Sequence, residues 1–341
     1  MKKKIIILVT SILVIAVCFE GFYLLIKYLK RGTIKEFNEY DDTLGWRPTP
    51  NFYRKTKLKD CLGRDYEVIY KSNFNGSRLW GTNPGKLKIL FVGDSFTQAV
   101  EVSNDKAYYY NFAKDTGLDV YAFGSVGYGT LQEDLLLKEV VKVDNFSPDV
   151  FVLQFCNNDF INNSINLERD FFVYQQRIRP YLVNNKIVYD LKDNKIFIFF
   201  FKNSQLFRLL LNNFVAILYK IKNGYSYCSM DEETKKLYFS ESVQTTDSIL
   251  KQLKKDLPNT KLFYAFNLDE ATEKRFLNNS FNEIMVKNGF KPLNGALDYI
   301  NSGAKGSRGV KAADGTHLNE EGNLRLAEFL TDKICKDIKC N

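Results

Sequence analysis

Four short runs of nearly continuous apolar residues, "LKILFV", "LDVYAF", "PDVFVLQF" and "KLFYAF", alternate along the chain with stretches of helical character. A strand that is apolar on both sides must be covered on both sides, and the alternating helices supply that cover. Right-handed crossovers then dictate a doubly wound α/β fold, a three-layer α/β/α sandwich around a central parallel sheet. The segments between the runs agree. "KAYYYNFAKDTG" reads as a helix closed by Gly117, "LQEDLLLKEVVKV" as a second, and 233–255 and 270–288 as two more. A short strand is expected near 297. The last helix begins at Asn319, with Glu320 and Glu321 in its first turn and Lys333, Lys336 and Lys339 towards its end, as the helix dipole favours.

Two regions depart from the alternation. Residues 32–87 are polar, aromatic and turn-rich and read as a lead-in of short strands and loops before the main domain, 88–341. Residues 160–230 read as an insertion. In it, "KIVYDLKDNKIFIFF" has the form of a hairpin turning at Asp193 and Asn194, and 204–222 that of an apolar helix packed on the core or lying at a membrane.

The first 31 residues carry "MKKK" and then an apolar run from Ile5 to Ile26 broken only by Glu20. At about 1.5 Å per residue such a run spans a hydrocarbon layer of about 30 Å, so a single N-terminal transmembrane helix is expected. No small-x-small cleavage site follows it, and Val17 does not suit a lipoprotein reading of Cys18, so a retained anchor is favoured over a cleaved signal. Lysines and arginines flank the run on both sides, which leaves its orientation open. The net charge of +8 is spread along the chain, without the concentrated stripe that nucleic acid requires, so no nucleic-acid partner is expected. There are six cysteines and one histidine, with no CxxC, and a zinc site built from them is not expected. Cys335 and Cys340 either pair locally or remain thiols.

In open α/β sheets, chemistry gathers beyond the carboxyl ends of the strands. The first apolar run ends in Gly93-Asp94-Ser95. A serine there is either a helix cap or a hydroxyl presented at a helix N-terminus, and the tripeptide alone fits both. The G-x-S-x-G elbow is not met, because Thr97 stands at its last glycine. The second run leads into "GSVGYGT", where Gly127 and Gly129 let the backbone fold close to a ligand. The third ends in "FCNNDF", in which Asn158 offers an amide to a developing oxyanion. Just before the last helix, "AADGTHLNEEG" sets the only histidine, His317, three residues after Asp314. That spacing lets the carboxylate accept the Nδ1 proton while Nε2 faces a nucleophile.

Together "VGDSFTQ", "GYGT", "NND" and "DGTHL" follow the order of the four sequence blocks of the SGNH, or GDSL-like, hydrolases, which the chain resembles from about 87 to 330. "LGWRPTPN" and "SNFNGSR" also look like the lead-in of membrane-anchored bacterial members. The resemblance implies a flavodoxin-like sandwich with Ser95 as nucleophile, Asp314 and His317 as acid and base, and an oxyanion hole from Ser95 N–H, Gly127 N–H and the Asn158 amide. It departs at Cys156, where the family usually has glycine, and at Ala122, often asparagine. The implied chemistry is acyl transfer through an acyl-enzyme, with no cofactor and no metal. The anchor points to an O-acylated, chiefly O-acetylated, surface glycan, with a membrane acyl donor as a further partner, and the resemblance implies a domain outside the cytoplasmic membrane. A lipid-directed esterase and a non-catalytic glycan-binding or assembly protein are the alternatives.

Overall fold

The computed structural model describes residues 36–143, 146–171, 178–190, 194–204, 230–269, 275–303, 306–338 and 340, with Leu206, Phe207, Leu210, Leu211 and scattered positions between 10 and 25. Two antiparallel hairpins come first, β1 (Asn38–Asp41) with β2 (Gly45–Pro48), and β3 (Tyr53–Lys59) with β4 (Asp65–Lys71). Then follow β5 (Leu79–Trp80), β6 (Lys88–Gly93), α1 (Ser95–Gln98), α2 (Tyr108–Thr116), β7 (Asp119–Gly124), α3 (Thr130–Val143) and β8 (Val150–Phe155). The next stretch holds α4 (Asn158–Asn162), α5 (Ile165–Phe171), the hairpin β9 (Pro180–Val183) and β10 (Lys186–Tyr189), and α6 (Lys195–Asn203). The chain continues through α7 (Glu232–Asp256), β11 (Leu262–Asn267), α8 (Arg275–Lys287), β12 (Lys291–Pro292), α9 (Ala296–Asn301) and α10 (Glu320–Ile334).

The four apolar runs are β6, β7, β8 and β11. With β5 and β12 they form one sheet in the order β12-β11-β8-β6-β7-β5. Alternate residues face opposite layers. Leu90, Val92, Leu153 and Phe155 pack with α3, α7 and α8, while Ile89, Phe91, Val152 and Phe266 pack with α2, α9 and α10. These side chains are all but fully buried, and truncating one such as Phe91 to alanine costs about 3–5 kcal/mol.

The sheet is mixed, where an all-parallel sheet was expected. β5 comes from the lead-in and runs antiparallel to β7, with Leu79 opposite Ala122 and Trp80 opposite Tyr121. A two-residue edge strand has too little periodicity to be read locally. The expected turn at Asp193 and Asn194 is also corrected. The hairpin turns at Asn184 and Asn185, both with positive φ, and Asn194 instead caps α6 by accepting from Phe197 N–H at 3.0 Å. Near 297 there is a helix, α9, and the short strand lies earlier, at β12. Cys335 and Cys340 form a disulfide.

Half of the N-terminal apolar run, and most of the helix expected over 204–222, lies outside the described residues. Among the described residues no helix is long and apolar enough to cross a membrane.

Candidate active site

The register of the sheet brings the ends of three strands level: Gly93 lies opposite Gly124, and Val92 opposite Leu153. At the end of β6, Asp94 caps α1 by accepting from Phe96 N–H at 3.0 Å. The cap is therefore the aspartate, and the Ser95 hydroxyl is left for other work. Gly93 is required by crowding, since a Cβ there would stand 2.4 Å from Gln154 Oε1. That oxygen accepts from both Asp94 N–H (3.1 Å) and Thr97 Oγ1 (3.0 Å), fixing the turn.

Across 222 residues of sequence, His317 Nε2 lies 2.8 Å from Ser95 Oγ. His317 Nδ1 bonds Asp314 Oδ2, and the other carboxylate oxygen accepts the N–H groups of Thr316 (2.9 Å) and His317 (3.0 Å). These bonds, led by that to His317, hold the Asp314 carboxyl down at about 2. Burial pulls the imidazole the other way, but the bond to Asp314 and the charges of Glu101, Asp314 and Asp94 outweigh it and leave His317 above its ordinary value. The ring rests against Phe96, with centroids 5.1 Å apart. Glu101 Oε1 stands 3.6 Å from the same Nδ1. Among the described residues, Glu101, Asp314 and His317 are the one group of acids and imidazole close enough to share an ion. Asp314 already holds Nδ1 by a hydrogen bond, and Glu101 stands beside that pair without bonding it.

The expected oxyanion donors follow β6, β7 and β8. Gly127 has φ +71°, a conformation that suits glycine. Neither its N–H nor that of Ser95 has a partner among the described residues. Two adjacent asparagines follow β8, and the structure separates them. Asn157 is fully buried and bonds Asp269 O (2.7 Å), Asn278 Oδ1 (3.1 Å) and Asn267 Nδ2 (2.9 Å). Asn158 keeps a buried Nδ2 with no hydrogen-bond partner among the described residues. Cys156, in the family's glycine position, is buried, with Gln154 Nε2 3.4 Å from its Sγ.

Several supporting residues carried no sequence signal for this role. Arg179, from the insertion, donates to Gly127 O at 2.7 Å and pairs with Glu168 at 2.9 Å, both side chains being buried. Trp46 Nε1 donates to Val126 O at 3.0 Å, while Tyr128 Oη donates back to Trp46 O at 2.6 Å. Arg78 reaches the carbonyls of Gln98, Ala99 (2.7 Å) and Val102 (3.1 Å) just after α1. Trp46 and Arg78 sit in the two lead-in stretches that resembled anchored family members; Arg179 belongs to no motif. The lead-in also touches the base side, where Asp60 bridges Ala312 and Cys61 N–H donates to Lys311 O at 3.1 Å.

No curated protein compared with the chain matches it. Among solved structures, an acetylxylan esterase from Geobacillus stearothermophilus, crystallised as a catalytic mutant, is 13% identical, with TM-score 0.41 over 76% of this chain and 97% of its own. A putative GDSL-like lipase from Parabacteroides merdae is 14% identical, with TM-score 0.39 over 74% and 98%. A carbohydrate esterase family 2 enzyme with a carbohydrate-binding domain, from Myceliophthora fergusii, is 12% identical, with TM-score 0.37 over 75% and 67%. Residues 89–330 match the family described as GDSL-like lipase/acylhydrolase, which is more than half of the chain. The chain is an enzyme of the GDSL-like lipase/acylhydrolase, or SGNH, family.

Proposed function

We propose that this chain is a serine esterase or acyltransferase acting on an O-acyl, chiefly O-acetyl, ester of a cell-surface glycan. The observation that carries the chemistry is the 2.8 Å contact of Ser95 Oγ with His317 Nε2, backed by Asp314; Asn158 Nδ2, with no hydrogen-bond partner among the described residues, supports it. His317 takes the Ser95 proton as Oγ attacks the ester carbonyl. The oxyanion is received by the N–H groups of Ser95 and Gly127 and by Asn158 Nδ2. Collapse expels the alcohol, which takes the proton from His317, and leaves an acyl-Ser95. Water or a sugar hydroxyl then gives its proton to His317, attacks the acyl carbon, and frees Ser95.

The N-terminal apolar run motivates the surface substrate. It holds the enzyme at the cell membrane with its catalytic domain outside, where glycan is in reach and a membrane acyl donor could meet it. Support for a membrane-side position comes from Glu20, the one acid in the run. Its carboxylate accepts from Ser204 Oγ and from Leu206 N–H (2.7 Å), joining the run to the segment after α6. Ile196, Phe199 and Phe200 of α6 are exposed on the same unit. Those aromatics also favour a second reading, an esterase directed at lipid, which predicts activity that rises sharply at an ester–water interface.

The test is fluorophosphonate labelling of the full chain together with turnover of short acyl esters and O-acetylated glycans. Ser95→Ala is expected to lose the label and nearly all turnover. Wild-type turnover in Ser95→Ala removes the assignment, and acyl transfer to added glycan separates a transferase from a hydrolase.

A further inference from the structure

Glu101 has no place in the family's motifs and none in the mechanism above, yet it faces the base. Its Oε1 is 3.6 Å from His317 Nδ1, the nitrogen that Asp314 holds directly. That separation is too long for a hydrogen bond and well within the range at which a carboxylate stabilises an imidazolium. Glu101 is also the better sheltered of the two acids, with a side chain 15% exposed against 45% for Asp314. Its position is built in. Arg78 binds carbonyls on both sides of it, at Gln98, Ala99 and Val102, and Ala99 turns the chain there with φ +47°. Beyond it opens a cavity of about 280 Å³ whose walls include Phe37, Arg54, Lys59, Tyr66 and Asp314.

We propose that Glu101 is a second positioning acid for His317, sharing the imidazole's Nδ1 side with Asp314 and able to serve it when Asp314 is removed. The proposal rests on reading Ser95 and His317 as nucleophile and base. Charged and titratable groups reach this corner from every neighbouring element. Asp314 and Lys311 come from the base loop, Asp94 from the β6–α1 turn, and Arg78 from the lead-in. Arg54, Lys59 and Tyr66 come from the β3–β4 hairpin. Burial pushes the Glu101 carboxyl up, and the His317 charge draws it back down, so the two groups favour each other's charged forms. Because the base must be neutral to act, the acid limb of activity follows the His317 titration.

The chain has a single histidine, so a ¹³C-histidine label on the full protein gives one titrating ring signal that belongs to His317. In Glu101→Gln its midpoint is expected to fall by about 0.5 pH unit or more, and the acid limb of kcat/KM to move down with it while KM stays unchanged. Glu101→Asp, which keeps the charge, should hold the midpoint near that of the wild type; an equal fall in both variants overturns the proposal in favour of packing. Asp314→Asn should retain about tenfold more turnover than Asp314→Asn with Glu101→Gln. Equal turnover in those two, or an unmoved midpoint in Glu101→Gln, overturns the role of Glu101. These outcomes are separable from failure of the site reading, which would show as turnover and labelling that survive Ser95→Ala.

Discussion

Arg179, which holds the Gly127 carbonyl, is fully buried, whereas Asp314, which holds His317 Nδ1, has a side chain 45% exposed. On the oxyanion side, support comes from deep in the molecule: the Arg179–Glu168 pair, Trp46 on Val126 O, and the Gln98 side chain, which accepts from Val126 N–H and donates to Asn38. The base side is a surface loop closed by Ala312 N–H on His317 O at 2.8 Å. The difference follows from the two tasks. Oxyanion donors stabilise a charge only if they do not reorganise when it appears, and burial keeps them in place. A base has to return its proton to water or to a leaving alcohol, which a half-exposed loop allows.

The largest expected effect therefore lies on the buried side, at a residue that touches no substrate. Arg179→Met leaves the Glu168 carboxylate buried without its cation, held by the Tyr181 hydroxyl at 2.8 Å, and should cost about 3 kcal/mol of stability in urea unfolding. It should also lower kcat, through a loosened Gly127 peptide. Adding Glu168→Gln should restore much of the stability, and if it restores kcat as well, the Arg179–Gly127 bond is not what orients the loop.

Next in size are the two asparagines, which ought to separate cleanly. Asn158→Ala should lower kcat by about 10²–10³, or about 3–4 kcal/mol, with KM and melting temperature nearly unchanged, because its Nδ2 has no hydrogen-bond partner to lose among the described residues. Asn157→Ala should instead lower stability, as a fully buried side chain abandons three hydrogen bonds. Reversed outcomes would move the oxyanion donor to Asn157.

This contrast also shows how much was legible in the sequence. The four apolar strands β6, β7, β8 and β11, α2 with its Gly117 end and the Asn319 cap appear as expected, because each is written in neighbouring residues. Ser95, Asp314 and His317 were readable because their partners are local or unique: Asp314 stands three residues from the only histidine. The supports were not readable. Trp46 and Val126 are 80 residues apart and Arg179 and Gly127 are 52 apart, and such contacts leave no periodic trace in either segment. Glu101 is one acid among 40 Asp and Glu, and only the turn at Ala99 brings it to His317. The misplaced hairpin turn has a similar cause, since asparagine serves equally as an αL turn residue and as a helix cap, and β9–β10 and α6 use it in both ways.

The last expected effect is electrostatic, and its sign differs between the two sides. Asp314 is held at about 2 against an ordinary 3.8, so it contributes stability that is complete above pH 3.8 and is lost as pH falls through 2. Its exposure limits that contribution to about 1 kcal/mol or less. The carboxylates of Glu133 and Asp159 are buried with no hydrogen-bond partner among the described residues. Burial pushes both carboxyls well up; the Asp94 charge adds to this at Glu133, and the Glu133 and Asp94 charges add to it at Asp159. A raised carboxyl keeps its proton in the fold and loses it in the unfolded chain, above pH 3.8 for Asp159 and above pH 4.5 for Glu133. Stability then falls as pH rises, by up to about 1.4 kcal/mol per pH unit for each such proton. Glu133→Gln should flatten that fall above pH 4.5 and leave the acid end alone, while Asp314→Asn should flatten only the drop below pH 3.8. Urea midpoints measured from pH 2 to 8 decide it: a Glu133→Gln curve parallel to the wild type over the whole range would mean that the buried side carries its carboxyls ionised, and that the two sides of the site respond to pH with the same sign.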